Sequence, residues 1–360
     1  MTQPKDLSVP SSSTKQPTSV WEKASLDQQK STQHNSRECV FRALAAEGGA
    51  RPAVGFWQHH PVADQKAQSL ADAALTFYDE VGGDLLKITP AGTYQATSLG
   101  LRDAWHGDSL GRRTIVSRPI NTPDDWLLLD EYAEGPIEKA VIEATALVRE
   151  RLSPGVALFA TVISPVTQAL QLAGPELLAS HASSAPQALQ HGLEILVRRT
   201  YALLERYRAA GADGIYLALQ HCVPTLQTPE NYAAHGRWAD EAVMAACIRF
   251  RGRILHLHGN PLHLTLPRPP TDWAVHFELG AANPEPAAFS ERCARPLIAG
   301  LTTAELASER TAEAIRNRAR AIFDNFGQPS GLVTAGCVLP LDFPLKRARA
   351  WVEAIQEWPE

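Results

Sequence analysis

Eight short apolar segments constrain the fold of this chain more than any other feature of its sequence. Helical or polar connections separate them, and they span residues 52–57, 84–90, 155–163, 215–220, 253–260, 273–279, 296–300 and 331–339. Segments of this kind are typical of parallel strands, which are buried on both faces. Eight such strands that alternate with helices predict an α/β fold, a single (β/α)8 TIM barrel over residues 36–360. A doubly wound open sheet is the alternative, although it usually has fewer strands and the chain contains no G-x-G-x-x-G sequence.

Two regions depart from this alternation of strands and helices. Residues 1–35 are rich in Ser, Thr, Gln, Lys and Pro and lack an apolar core, which predicts a disordered tail rather than a signal peptide. Residues 91–150 contain a polar, tryptophan-bearing segment followed by helices. We expect this second region to be a lid-like insertion that partly covers the site.

The composition excludes several classes of partner. The 360 residues carry a net charge of −5 with dispersed Lys and Arg side chains, so we expect no interaction with nucleic acid or with a membrane surface. No segment has the length of apolar sequence that crosses a bilayer. The five cysteines are an odd number without C-x-x-C spacing, which indicates a reducing, cytoplasmic compartment. A small-molecule substrate is the expected ligand, and the sequence does not indicate an oligomeric state.

A His-x-His pair at the end of the fifth apolar segment is the strongest chemical signal. In a strand, His256 and His258 leave the same face about 6–7 Å apart along the backbone. Gly259 and Asn260 end this strand, which places both imidazoles at its carboxyl end, where parallel barrels carry their chemistry. Cys337 ends the eighth segment in a comparable position. Two imidazoles and one thiolate would form a three-ligand zinc site with one open position.

The same residues have a second interpretation. Two histidines on one face of a strand can line a pocket as hydrogen-bonding side chains without any metal. A single free cysteine is often a small buried apolar residue. The residues by themselves therefore leave metal binding and pocket lining open.

Further polar or aromatic side chains lie on or just after the other strands, and the convergence of strand ends in a barrel would bring them together. Candidate catalytic residues, acting as a general base, a fourth metal ligand, or an anion-binding or Schiff-base lysine, are His59, Lys87, His276 and Glu278. Candidate substrate-binding residues are Trp57, Gln58, Thr89, Ser164, Gln220 and Asn260. For each histidine the alternative is a structural role, because imidazole commonly fills polar pockets.

Five motifs follow one another along the chain: R-P-A-V-G-F-W-Q-H-H-P, G-G-D-L-L-K-I-T-P, G-A-D-G-I-Y, L-H-L-H-G-N and G-C-V-L-P-L-D-F-P. Their order and spacing over residues 38–358 resemble the uroporphyrinogen decarboxylase superfamily, which includes the methylcobamide:coenzyme M methyltransferases. The resemblance implies a (β/α)8 barrel with its active site in the cleft at the carboxyl ends of the strands.

The resemblance implies two chemistries, and this chain departs from one of them. Decarboxylases of the superfamily carry an Arg-Gln-Ala-Gly-Arg run after the first strand and a histidine at the turn of the last strand. This chain has Q-H-H-P at residues 58–61 and Cys337 instead. The methyltransferases bind zinc through a His-x-Cys pair on the fifth strand and a later cysteine. The similar residues here are His256, His258 and Cys337.

The resemblance therefore leads us to expect zinc-dependent methyl transfer from a methyl donor to a thiol. A methylated corrinoid, carried by a partner protein, is the donor that the resemblance implies. The alternative is a cofactor-free decarboxylase that acts on uroporphyrinogen or another carboxylated aromatic substrate, in which Lys87 or Arg102 would hold carboxylates. A third alternative is a binding protein that keeps the barrel without a reaction.

Overall fold

The computed structural model describes residues 36–226, 228–262, 269–280, 282–283, 296–326 and 331–358. The tail predicted for residues 1–35 lies outside these ranges, as does a helix that the sequence pattern predicts near residues 286–294. One large cluster of buried apolar side chains connects the strands with the helices around them.

Eight parallel strands form a nearly closed barrel, so the predicted (β/α)8 fold is confirmed. The strands are β1 (Ala53–Val54), β2 (Leu85–Lys87), β5 (Ala157–Ile163), β6 (Gly214–Leu219), β7 (Gly252–Leu257), β8 (Ala274–Glu278), β9 (Leu297–Leu301) and β10 (Leu332–Ala335). Their order around the barrel is β1-β10-β9-β8-β7-β6-β5-β2. A separate antiparallel hairpin consists of β3 (Arg102–Ala104) and β4 (Thr114–Ser117). Each of the eight predicted apolar segments overlaps one strand of the barrel.

Helices connect the strands and form the outer layer. The described α-helices are α1 (36–44), α2 (Ala67–Val81), α3 (Tyr94–Thr97), α4 (Pro136–Arg151), α5 (Pro165–Ala173), α6 (Pro175–Ser184), α7 (Pro186–Ala209), α8 (Pro229–Asn231), α9 (Arg237–Ala246), α10 (Thr303–Ala307), α11 (Ala312–Phe326) and α12 (Leu345–Gln356). Short 3-10 helices span Ala63–Gln65, Pro123–Leu128 and Cys247–Arg249. A π-helical turn, Tyr232–Gly236, joins α8 to α9. Across the described ranges, no helix is both long and apolar enough to cross a membrane.

Phe159 fills the amino-terminal end of the barrel. It is paired in register with Gly214, the first residue of β6, which is paired in turn with Gly252, the first residue of β7. A Cβ atom at Gly214 or Gly252 would lie 2.3 or 2.4 Å from the Phe159 ring. The two glycines therefore make room for one large aromatic side chain, which closes this end of the interior.

Asp84 joins the first and second strands of the barrel. In the described part of the chain, β1 and β2 share no strand ladder but one isolated bridge, between Gly55 and Gly83. The Asp84 main-chain N–H donates to the Val54 carbonyl (2.8 Å), and its carboxylate accepts from the Val54 N–H (2.9 Å). The same carboxylate accepts two hydrogen bonds of 2.7 Å from the Arg51 guanidinium. Because Asp84 is fully buried, this ion pair belongs to the core.

The β3–β4 hairpin lies over the carboxyl ends of the strands, where it lines a cavity together with residues that follow β7 and β10. Arg113, just before β4, holds it in place by donating to the Asp103 carboxylate and to the Pro61 carbonyl, both at 2.8 Å. Helix α4 packs instead against α2 in the outer layer. Within residues 91–150, the hairpin and its loop supply most of the residues that line the cavity, and Gly92, Thr93 and Arg118 supply the rest.

A second buried carboxylate, Asp240 of α9, holds the start of α5. It accepts hydrogen bonds from the Val166 N–H (3.2 Å) and the Tyr232 hydroxyl (3.2 Å), and the His221 Nε2 atom lies 3.4 Å away. Burial raises the pKa of Asp240 to about 7. This carboxyl group therefore exchanges its proton in the neutral range rather than near pH ~4.

Replacement of Asp84 with alanine should lower the free energy of unfolding by about 3–5 kcal/mol, because it leaves the largely buried Arg51 cation without its partner. Urea unfolding followed by tryptophan fluorescence measures this change. Asp72→Ala is the matched control, since Asp72 pairs with Arg151 at the surface, where ion pairs contribute little. An Asp84→Ala protein as stable as this control would contradict the role given to Asp84.

Replacement of Asp240 with asparagine should change how stability depends on pH. Between about pH 4 and pH 7, the unfolded group is ionised while the folded group keeps its proton, so folding takes up a proton. The contribution of this raised pKa to the free energy of unfolding is fully present below about pH 4. It is lost as the pH rises through about 7, by up to about 1.4 kcal/mol per pH unit. Asp240→Asn cannot titrate, so it should gain stability relative to wild type between about pH 5 and pH 7. Urea unfolding at both pH values tests this, and a constant difference between the two proteins is the contrary result.

Candidate metal centre and active site

Three candidate ligands meet at the carboxyl ends of β7 and β10. The ligand atoms of His256, His258 and Cys337 all lie within 4.8 Å of one another. In a tetrahedral zinc site with bonds of about 2.0–2.3 Å, ligand atoms lie roughly 3.4–3.6 Å apart, so small side-chain rotations would bring these three to one ion. The structure therefore brings together the three residues predicted as metal ligands.

The surroundings of His256 favour a metal. This side chain is 2% exposed, and neither of its ring nitrogens forms a well-aligned hydrogen bond with the described residues, although the His276 main chain lies close to the ring. A buried polar atom without a partner is costly, and coordination to a metal would remove part of that cost. Burial lowers the pKa of both His256 and His258, which keeps the two rings neutral and able to donate a lone pair. The donor set therefore fits zinc.

Tyr216 and His276 form the wall behind His256. The Tyr216 ring stacks on the His256 ring with centroids 5.1 Å apart, and the His276 ring lies 4.7 Å from His256. The Ala335 carbonyl, which can only accept, lies 2.9 Å from His276 Nε2, so Nδ1 accepts from the Tyr216 hydroxyl at 2.9 Å. Burial lowers the pKa of His276 to about 3. Both nitrogens of this neutral ring are thus occupied.

Lys87 lies at the base of the site and has no carboxylate partner among the described residues. Its ammonium donates to the hydroxyls of Thr89 (3.1 Å) and Thr161 (3.0 Å). It also lies 4.5 Å from the ring centroid of Tyr216 and 5.1 Å from that of Trp57. Burial lowers the pKa of Lys87 to about 7, so a buried amine that gains or loses its proton near neutral pH lies beneath the candidate ligands.

A small cavity of about 150 Å³ opens beside the three candidate ligands. Its lining residues are His256, Leu257, His258, Gly259, Asn260, Glu278, Gly336 and Cys337. The Asn260 amide donates to the Glu278 carboxylate at 3.4 Å. A Cβ atom at Gly336 would lie 2.4 Å from Cγ of Glu278, so a glycine at this position leaves room for the acidic side chain. Glu278 is thus the carboxylate that shares a cavity with the candidate ligands.

A larger cavity of about 360 Å³ lies under the hairpin and contacts two of the candidate ligands, His258 and Cys337. Burial lowers the pKa of His59, which lines this cavity, to about 3, so its ring is neutral. The Gln220 side chain accepts a hydrogen bond of 3.2 Å from the Gln171 amide. The other polar lining residues are Thr93, Arg112, Arg113, Arg118 and Thr167.

Sequence patterns alone do not reveal the three arginines of the larger cavity. Arg112 pairs with Asp108 and Arg113 with Asp103, each at 2.8 Å. Arg118 donates to main-chain carbonyls near the end of α5 and forms no ion pair with the described residues. An Arg-Arg pair inside a region expected to cover the site is the signal that points toward them. Tyr216 is another site residue that the sequence analysis does not predict. It lies on β6 two residues before Ala218, so the alternation of side chains along the strand could have pointed to it.

Several of the residues predicted for the site line neither cavity. They are Trp57, Gln58, Lys87, Thr89, Ser164 and His276. Ser164 caps α5, with its hydroxyl accepting from the Thr167 N–H at 3.3 Å. Gln58 forms a single strand bridge with Leu339. The predicted residues that do reach a cavity, besides the candidate ligands, are His59, Gln220, Asn260 and Glu278.

Solved structures share this fold at low sequence identity. A methyltransferase from Methanosarcina mazei superposes with a TM-score of 0.72 at 18% identity, over 89% of this chain and 98% of that chain. A B12-independent methionine synthase from Shewanella sp. W3-18-1, in complex with selenomethionine, gives a TM-score of 0.54 at 12% identity, over 81% and 86% of the two chains. A putative B12-independent methionine synthase from Listeria monocytogenes gives 0.50 at 13% identity, over 82% and 87%.

Sequence comparison identifies the family. No curated protein matches this chain significantly. The uroporphyrinogen decarboxylase (URO-D) family model, in contrast, matches residues 57–358, which include every barrel strand after β1 and all the candidate ligands. The resemblance inferred from the five motifs is confirmed, and this chain belongs to the uroporphyrinogen decarboxylase (URO-D) family.

Proposed function

We propose that this protein is a zinc-dependent methyltransferase, which transfers a methyl group from a methyl donor to the sulfur of a small thiol. The observation that carries the proposal is the convergence of His256, His258 and Cys337 at the mouth of the barrel. Zinc accepts this mixed set of nitrogen and sulfur ligands and leaves one position open in catalytic sites. When bound, zinc would lower the pKa of a substrate thiol and orient its sulfur.

Glu278 is the residue to which we assign the thiol proton. It lines the smaller cavity with all three candidate ligands, and it is partly exposed, so it can accept a proton and pass it to water. His276 has no free nitrogen for this task, because Tyr216 and Ala335 occupy both. We assign His276 a positioning role, in which it holds Tyr216 against the His256 ring.

Lys87 supports the anionic state of Cys337. Burial raises the pKa of the Cys337 thiol to about 11, and the positive charge of Lys87 acts in the opposite direction. The thiolate is the form of cysteine that binds a metal, so a cation in this position favours the ligand form. We assign His59 and Gln220, which line the larger cavity, to contacts with substrate there.

The size of the larger cavity bears on the methyl donor. Its volume of about 360 Å³ lies near the lower end of the range for small-molecule pockets, roughly 300–1,000 Å³. A cavity of this size does not enclose a macrocycle of corrinoid size. A methylcorrinoid donor would have to approach the mouth from outside, on a partner protein.

The structural neighbours support methyl transfer as the reaction class. One is a methyltransferase, and the other two are B12-independent methionine synthases, one of them putative. Cysteine usage supports a cytoplasmic location, and the cysteines within the described ranges are free.

The purified protein should contain about one zinc ion per chain, and His256→Ala, His258→Ala and Cys337→Ala should each lose most of it, because each removes one of three ligands. Elemental analysis by mass spectrometry measures the zinc. Cys222→Ala is the matched control, since Cys222 is a buried thiol that follows β6 and lies outside the ligand cluster. The control should keep its zinc. Full zinc content in both His256→Ala and Cys337→Ala would show that the ligand assignment is wrong.

Decarboxylation of a carboxylated aromatic substrate is a second candidate function, favoured by the arginines of the larger cavity. Guanidinium groups bind carboxylates well, and Arg118 forms no direct ion pair with the described residues, although the charge of Glu176 acts on it. Arg102, proposed from the sequence for this role, is exposed on β3 and does not line the cavity. The cavity also does not enclose a tetrapyrrole, so a smaller aromatic acid would be the substrate.

Incubation with uroporphyrinogen should therefore yield no decarboxylated product, because the cavity is too small for the macrocycle and lacks the Arg-Gln-Ala-Gly-Arg run. Chromatographic separation of the porphyrins after oxidation measures the product. Turnover that persists in Cys337→Ala protein would favour the decarboxylase over the methyltransferase, because this reaction would then not require the candidate metal centre.

A further inference from the structure

The two cavities beside the candidate metal centre are not equivalent. His256, His258 and Cys337 all line the smaller cavity, whereas the larger one contacts His258 and Cys337 but not His256. If the three residues bind one ion, a substrate that binds the same ion would therefore reach that ion from the smaller cavity. The two cavities share His258 and Cys337 in their linings, so molecules bound in the two cavities would both lie next to these residues.

The charges that line the two cavities have opposite signs. Among the described residues of the smaller cavity, Glu278 is the one charged side chain apart from the candidate ligands, and its carboxylate accepts one long hydrogen bond from Asn260. The larger cavity is lined by Arg112 and Arg113, which pair with Asp108 and Asp103, and by Arg118, which forms no ion pair with the described residues. The smaller cavity thus favours a positively charged group and the larger cavity a negatively charged one.

The smaller cavity also limits the size of its ligand. Its volume of about 150 Å³ is about half the lower end of the range for drug-sized ligands, roughly 300 Å³. Gly336 leaves room for Glu278 in this cavity, because a Cβ atom at residue 336 would lie 2.4–2.7 Å from three atoms of the acidic side chain. The Glu278 carboxylate lines this same small cavity together with the three candidate ligands, so a molecule that contacts both has few atoms between its sulfur and its charged group.

We infer that the methyl acceptor is a small thiol that carries an ammonium group, which binds in the smaller cavity against Glu278, and that the methyl donor enters through the larger cavity. This inference rests on the proposed methyl-transfer function. The thiol loses its proton through Glu278 to water, and the ionised carboxylate then pairs with the ammonium. A sulfur lone pair forms the new bond to the methyl carbon, and the bond from that carbon to the donor breaks with its electron pair left on the donor.

Binding of two matched thiols to the cobalt-substituted full-length protein tests this inference without measuring activity. Cysteamine carries an ammonium group and 3-mercaptopropionate a carboxylate at a similar distance from sulfur. The visible absorption of Co²⁺ changes when a sulfur ligand binds, so both dissociation constants can be titrated. The ratio of the two dissociation constants is compared between variants. Any intrinsic difference between the two thiols is the same in every variant, so it does not affect this comparison.

Glu278→Gln should reduce the preference for cysteamine over 3-mercaptopropionate by about tenfold, because it removes the charge that pairs with the ammonium. Asn260→Asp adds a carboxylate to the same cavity and should increase the preference by about threefold. Arg118→Gln is the control in the larger cavity and should leave the preference unchanged. The cobalt content of each variant is measured first, and Asn260→Asp decides the question if Glu278→Gln binds less metal.

A preference that neither Glu278→Gln nor Asn260→Asp alters, in proteins that bind cobalt normally, would overturn this inference and leave the metal site standing. A preference that changes in Arg118→Gln instead would place the acceptor in the larger cavity, and it would overturn the inference in the same way. Wild-type protein that takes up neither zinc nor cobalt would overturn the proposed function, and this inference with it.

Discussion

The rest of the barrel depends on a buried carboxylate at its amino-terminal end. Asp84 bonds the main chain of Val54 and the guanidinium of Arg51, and these bonds join two strands that share no ladder in the described residues. The first strand has two residues and the second has three, so regular pairing offers little there. The junction of these two strands brings Lys87 of the second strand close to Cys337, which follows the last strand. The charge of Lys87 can therefore act on the Cys337 thiol.

Burial gives the candidate metal centre its chemical character. Removal of water lowers the pKa of His256, His276 and Lys87, because each group carries a positive charge when protonated. Neutral imidazoles can donate a lone pair to a metal. The two nitrogens of His256 lack well-aligned hydrogen bonds with the described residues, which would destabilise an ordinary apolar core. Next to a second histidine and a cysteine they favour metal binding.

The sheet and the connections contribute different parts of the site. The candidate ligands lie on or just after strands, whose ladders fix their separation. The charges of the larger cavity come from the β3–β4 hairpin and the residues beside it, which lie outside the barrel sheet. Barrel enzymes commonly vary their chemistry through such connections, because a connection can change without disturbing the strands. A change in the hairpin would accordingly alter the larger cavity and leave the metal ligands in place.

The eight strands, the common face of His256 and His258, and the position of Cys337 at a strand end can all be predicted from the sequence alone. These properties follow from the alternation of side chains along a strand, which is local to the backbone. Which of the candidate side chains are free to contact a substrate or a metal depends instead on how the chain packs in three dimensions. It pairs both nitrogens of His276, uses Ser164 as a helix cap, and brings the arginines of a distant hairpin over the mouth. Hydrogen-bond partners, burial and pKa depend on segments far apart in the chain, and no local pattern specifies how those segments pack.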